Sequence, residues 1–227
     1  MYKGDNMNGK LIVIEGLDGC GKSTQLELLK NRFRENTRFI SFPNYDSASG
    51  SIIKDYLGGK FCEENNETGC YTASSFYAID RYISYKTDWE KDYKSGKNII
   101  AARYTSSNAI YQMTKLDKAR WDEFLSWLAD YEYNKFSVPV PDKIIFLDMP
   151  VEVSQKLLSQ RYGGDESKKD IHEKNVSFMK SCREAALYAA EKNDWTVLPC
   201  ADGDKPLGID EINRQLIKIT EAVLAKE

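Results

Sequence analysis

The chain has 227 residues, of which 41% are hydrophobic and 30% charged, and its 32 basic and 35 acidic side chains leave a formal charge of -3. That length suits one domain of roughly 100–200 residues with at most a small lid, and the near balance of charge provides no general field to draw nucleic acid or an anionic membrane. With His172 as the only histidine, a Ser-His-Asp triad, a multi-histidine metal site and a histidine relay are excluded unless His172 itself takes part.

Apolar runs that read as buried strands, at 10–15, 38–41, 98–102, 143–148 and 196–199, alternate with segments of helical period near 22–35, 48–57, 69–94, 104–115, 119–135, 151–160, 170–193 and 209–225. This alternation predicts an α/β fold of three layers, a five-stranded parallel sheet wrapped on both faces by helices. No repeat or low-complexity tract interrupts it, so 1–227 reads as a single domain. The polar, glycine-bearing stretch RYGGDESKK at 161–169 separates two helical patterns and is the candidate mobile lid. Cysteines at 20, 62, 70, 182 and 200 are odd in number and form no CxxC pair, which argues against a zinc ribbon or a disulfide framework and suits a reducing cytoplasm. A polar start, MYKGDNMNGK, and the lack of an apolar stretch near 18 residues long predict a soluble protein that is not exported.

The strongest chemical signal is Gly16-Leu17-Asp18-Gly19-Cys20-Gly21-Lys22-Ser23, a full GxxxxGK[ST] placed after an apolar strand and before the helical run beginning at Thr24. Such a loop holds a polyphosphate. Its glycines let backbone N–H groups converge on phosphate oxygens, the helix N-terminus adds partial positive charge, Lys22 reaches the terminal phosphates and Ser23 offers a hydroxyl to Mg²⁺. Tyr77, Arg81 and Tyr85 recur at i, i+4, i+8, where they can form either an aromatic core stripe or a receptor for a base stacked beside a charge. Arg103, Ser107 and Tyr111 share another helix face, with Asn108 beside them, directly after the third strand. Ligands of a doubly wound sheet bind at that end of the strands. Arg103 there is a fork for a phosphate, and the other three can read a base edge. Trp121, Phe124, Leu125 and Leu128 follow the spacing of a stripe buried in the core or at a subunit interface, while His172 reads as a surface or capping group.

Taken together, IEGLDGCGKSTQ at 14–25, the Phe-Pro element at 42–43, FYAIDR at 76–81, ARYTSSNAIYQ at 102–112, PDKIIFLD at 141–148 and the basic segment after Arg161 resemble the thymidylate kinase (dTMP kinase) family of P-loop nucleoside monophosphate kinases. The resemblance covers about 10–224. It implies Mg²⁺-dependent transfer of the γ-phosphoryl group of ATP to dTMP, with Gly16, Asp18, Gly19, Cys20, Gly21, Lys22, Ser23 and Thr24 around ATP. It also implies that Asp18 holds the acceptor's 3'-hydroxyl, that Phe42 walls the pocket, and that Tyr77 stacks on the base. Arg81 and Arg103 would surround the acceptor, and Ser107, Asn108 and Tyr111 would lie near base and sugar. Gly19 stands where one class of the family carries an arginine, which points to the class whose lid delivers the cation and raises Arg161, with Lys168 and Lys169 in reserve. A homodimer is implied as well. Two positions depart from the pattern: Ala102 replaces an acidic residue that organises Mg²⁺, and Asn44-Tyr45 follows Phe42-Pro43 where one branch has an arginine. A kinase of another nucleotide or deoxynucleoside, and a nucleotide-binding protein of low turnover, are the alternative readings.

Overall fold

In the computed structural model, residues 8–60, 67–161, 163 and 175–225 are described. Five strands form one parallel sheet: β1 (Leu11–Gly16), β2 (Thr37–Ser41), β3 (Asn98–Ala102), β4 (Lys143–Asp148) and β5 (Thr196–Pro199), in the order β2-β3-β1-β4-β5. The central strand β1, LIVIEG, is buried along its whole length, as a strand covered on both faces must be. Its side chains alternate between two cores. Ile12 and Ile14 pack with Leu29 of α1 (Lys22–Arg32) and with Ile212 and Leu216 of the last helix, whereas Leu11 and Val13 pack with Ile99, Ala101 and Trp89 on the other face. These layers are the expected α/β/α architecture, and all five predicted strands are present within a residue or so.

Helices α2 (Ala48–Leu57) and α3 (Glu67–Ser84) follow β2, and a π-helical turn, Tyr85–Trp89, joins α3 to α4 (Glu90–Lys94). The expectation of one helix over 69–94 thus omitted a wider turn, in which Tyr85 and Trp89 both enter the core with ring centroids 4.6 Å apart. After β3 come α5 (Ser106–Tyr111), two short 3₁₀ turns and α6 (Trp121–Ala129), which ends in a second π turn, Asp130–Lys135. Trp121, Phe124 and Leu128 are buried against α5 and α8 (Val176–Lys192), so the predicted stripe belongs to the core. Helix α7 (Val151–Arg161) precedes α8, and α9 (Ile209–Leu224) closes the chain behind a small antiparallel hairpin, β6 (Ala201–Asp202) with β7 (Lys205–Pro206). The hairpin had no counterpart among the expected elements, although Asp202-Gly203 is a turn signal. Of the candidate lid at 161–169 only Arg161 and Gly163 fall within the described residues. Lys168, Lys169 and His172 lie outside them.

The register places the carboxyl ends of β1 and β3 side by side, with Ile14 opposite Ala102, and β2 ends at Ser41 on the far side of Ala102. The loops leaving these three ends build the site. Among the described residues no helix is long and apolar enough to cross a membrane.

Candidate active site

The loop after β1 closes at Gly21, a left-handed residue (φ 85°) that caps α1 without any side-chain hydrogen bond. No acid sits in the first turn of α1 and its cap residue makes no side-chain hydrogen bond, so this terminus suits an anion. Lys22 curls back and donates from Nζ to the Gly16 carbonyl at 3.1 Å. Burial, then the neighbouring Arg103, hold its pKa below the usual lysine value. Gly19 is also left-handed (φ 78°), and a Cβ there would lie 2.8 Å from Leu158 Cγ on α7, so any larger residue would be strained and would have to displace Leu158. Cys20 is buried and its thiol pKa is raised, chiefly by that burial, so it belongs to the wall of the loop and is not a nucleophile. The loop, Lys22, Ser23 and Thr24 line a cavity of about 320 Å³ together with Arg161 at the end of α7 and an apolar wall that includes Leu157, Leu207 and Ile212.

A second cavity of about 670 Å³ opens on the other side of Asp18, which lines both. Arg103 stands at the junction. It follows β3 directly, with a left-handed backbone (φ 65°) that costs a non-glycine residue about 1–2 kcal/mol. From there its guanidinium donates to Asp18 Oδ1 at 2.7 Å and Tyr111 Oη at 3.0 Å. Burial opposes its charge, but Tyr111, Asp18 and Glu15 outweigh that cost and keep the guanidinium protonated. Phe42, ahead of a cis bond to Pro43, forms one wall and tilts against Tyr104 at 5.8 Å. Asp80 secures the chain beyond it by accepting from Asn44 N, Ser47 Oγ and Ser49 Oγ.

Deeper in this cavity lie Tyr77, Arg81, Ser107, Asn108, Tyr111 and Gln112. The stripe Tyr77, Arg81, Tyr85 therefore divides: the first two face the cavity, and Tyr85 enters the core. Arg81 is not a free fork. At 2% exposure it makes a bidentate pair with Glu132, which is 0% exposed, through Nε and Nη2 at 2.6 Å each, and Nη1 reaches the Tyr104 carbonyl at 3.3 Å. That pair occupies the two donors of the fork that would otherwise suit a phosphate. Asn108 Nδ2 donates to the Ser74 carbonyl and to Glu132 Oε1, and Ser107 Oγ donates to Glu15 Oε1. The polar wall is thus largely fixed before anything enters it.

Sequence reasoning assigned no task to Gln112, Glu132 or Glu15. Gln112 is 7% exposed, lines the cavity, and has an Oε1 with no hydrogen-bond partner among the described residues. Its position four residues after Asn108 was a usable signal. Glu132 lies 51 positions from Arg81 and enters the site from the second π turn, for which the sequence carried no marker. Glu132→Ala strands a buried guanidinium, for which a loss of about 3–5 kcal/mol is expected. Urea unfolding of the variant checks this, and an unchanged midpoint contradicts it.

The family model described as thymidylate kinase matches residues 14–205. A probable thymidylate kinase of Methanococcus maripaludis is 30% identical over 191 residues, covering 84% of this chain and 82% of that protein. The thymidylate kinase of Fervidobacterium nodosum is 28% identical over 221 residues, covering 94% and 99%. In fold, the chain is similar to the thymidylate kinase structure of Candida albicans, with a TM-score of 0.70 and 22% identity over 95% of this chain and 92% of the other. With a P-loop and an arginine-lined second cavity meeting at Asp18, and a family match that spans both, the chain belongs to the thymidylate kinase family.

Proposed function

We infer that the chain is a single-domain cytoplasmic kinase that transfers the γ-phosphoryl group of ATP to the 5'-phosphate of dTMP, giving dTDP and ADP. The observation that carries this reading is the sharing of Asp18 by two cavities, one built on a phosphate-binding loop and one on Arg103. Two polyphosphate-sized ligands entering from opposite sides would meet there, which is what in-line transfer requires.

In this assignment Gly16, Asp18, Gly19, Cys20, Gly21, Lys22, Ser23 and Thr24 surround the ATP phosphates, and Arg161 approaches them from α7. Lys22, Arg103 and Arg161 are the cations that cancel charge as the phosphoryl group moves. On the acceptor side Phe42 and Tyr77 sandwich the base, Asp18 meets the 3'-hydroxyl, Ser107 and Tyr111 border the sugar, and Arg81, Asn108 and Gln112 read the base edge. Thymine presents an N3–H between two carbonyls, and the unpartnered amide of Gln112 can match such an edge.

The residues present fit a magnesium ion that keeps most of its waters. Ser23 offers a hydroxyl at the start of α1, Asp18 has a second oxygen outside its bond to Arg103, and Ala102 offers only a methyl group. When bound, Mg²⁺ would neutralise charge on the ATP phosphates. The protein groups fix the two phosphates in line and exclude water from between them. Ala102 is the observation that favours a second reading, a nucleotide-binding protein of low turnover.

Membership of the thymidylate kinase family is what supports a homodimer. Light scattering at micromolar concentration is expected to give twice the chain mass, and the chain mass alone contradicts the dimer.

In an ADP-release assay over dTMP, dUMP, dCMP, dGMP, AMP and thymidine, dTMP is expected to give the highest kcat/KM. Gln112→Ala is expected to raise KM for dTMP about tenfold, equivalent to one lost base-edge hydrogen bond. Absence of ADP release with every one of these acceptors would favour the binding-protein reading. Ala102→Asp is expected to raise kcat with dTMP and Mg²⁺ while dTMP affinity stays within about twofold. An equal or lower rate removes Ala102 from the account of the metal.

A further inference from the structure

Glu15 ends the buried strand β1, is 0% exposed, and has been given no task by the roles above. Its Oε1 accepts three hydrogen bonds from the segment that follows β3: Tyr104 N at 3.2 Å, Ser106 Oγ at 2.7 Å and Ser107 Oγ at 2.8 Å. Its Oε2 is buried with no partner among the described residues. The residue before it also takes part, because the Arg103 N–H donates to the Ile14 carbonyl at 3.1 Å. Two consecutive N–H groups of the β3–α5 turn are therefore caught by two consecutive residues of β1. Between those two anchors sits the left-handed Arg103, whose side chain then reaches Asp18 and Tyr111.

Helix α5 has only six residues and its N-cap, Thr105, makes no side-chain capping bond. It cannot hold its own first turn in place, and the carboxylate of Glu15 does so from outside. We propose that Glu15 is the positioning residue for Arg103: its bonds to the start of α5 fix the turn, and its buried carboxylate attracts the guanidinium to the junction beside Asp18, where the acceptor phosphate would meet it. This rests on the acceptor-site reading above. The same carboxylate is one of the groups that keep Arg103 charged, next after Tyr111 and Asp18. Ala102, with no carboxylate of its own, leaves that task to Asp18 and Glu15.

A buried glutamate that only staples the fold would affect all ligands alike, and a positioning residue would not. Glu15→Gln keeps an acceptor oxygen for the three donors and removes the charge. It is expected to weaken dTMP binding about tenfold and to lower kcat, with ATP affinity within about twofold and the midpoint of thermal unfolding nearly unchanged. In an Arg103→Ala background the same substitution is expected to change dTMP affinity less than about twofold, because two residues acting as one unit are not additive. Additive effects in the double variant, equal losses for ATP and dTMP, or a silent Glu15→Gln each overturn the proposal. Should Glu15→Gln not fold, Ser106→Ala removes one of the three donors without burying a charge, at a residue given no ligand contact. It must then weaken dTMP binding more than ATP binding, and equal or absent effects overturn the proposal in the same way. Unchanged dTMP affinity in Arg103→Ala alone would instead overturn the acceptor-site reading, and the role of Glu15 with it.

Discussion

Everything functional in this molecule depends on the parallel pairing of β1 with β3, in register at Ile14 and Ala102. That one ladder brings the phosphate-binding loop, which leaves β1, within a hydrogen bond of the turn that leaves β3. Asp18 on one side and Arg103 on the other then meet at 2.7 Å. Parallel strands need long crossovers, so the two halves of the site are 85 positions apart in the chain and adjacent in space. Both strands are buried on each face, which makes the junction rigid where alignment matters most.

Around this junction the two cavities solve different problems. The donor side is built from backbone: an uncapped helix terminus and left-handed glycines whose Cβ atoms would strike neighbouring groups or strain the loop. The acceptor side is built from side chains that have already spent most of their hydrogen bonds on one another. Arg81, Glu132 and Asn108 form a buried polar cluster, and a cluster so satisfied holds its shape at the cost of desolvating a charged pair. Glu132 reaches it from a π turn, where a helix departs from its regular spacing to turn one more side chain inward. Gln112 Oε1, which lines this cavity and has no internal partner among the described residues, is an atom that an arriving ligand can engage.

Much of the architecture was legible because strand burial and helix period are local. The fully apolar β1 and the i, i+3, i+4, i+7 stripe at Trp121, Phe124, Leu125 and Leu128 each state their environment in a few residues. The P-loop was legible for the same reason, since all its parts are consecutive. Arg81 was legible only in part: helical spacing put it beside Tyr77 on the cavity wall, but nothing local announced that Glu132 would engage its fork. The two π turns escaped as well, because an extra residue in a turn leaves the composition of a helix unaltered.

From the sequence alone one could read a parallel α/β domain with a polyphosphate loop, the residues of that loop, and eight of the twenty that line the second cavity. Only the tertiary structure decided which of those residues still have atoms to offer. Arg81 is tied to Glu132, Ser107 to Glu15 and Arg103 to Asp18, while Gln112 is left open. The reason is physical. Residue type and spacing say what a side chain can bond to, but which partner takes that bond depends on strand order and register, and those are properties of the whole folded chain.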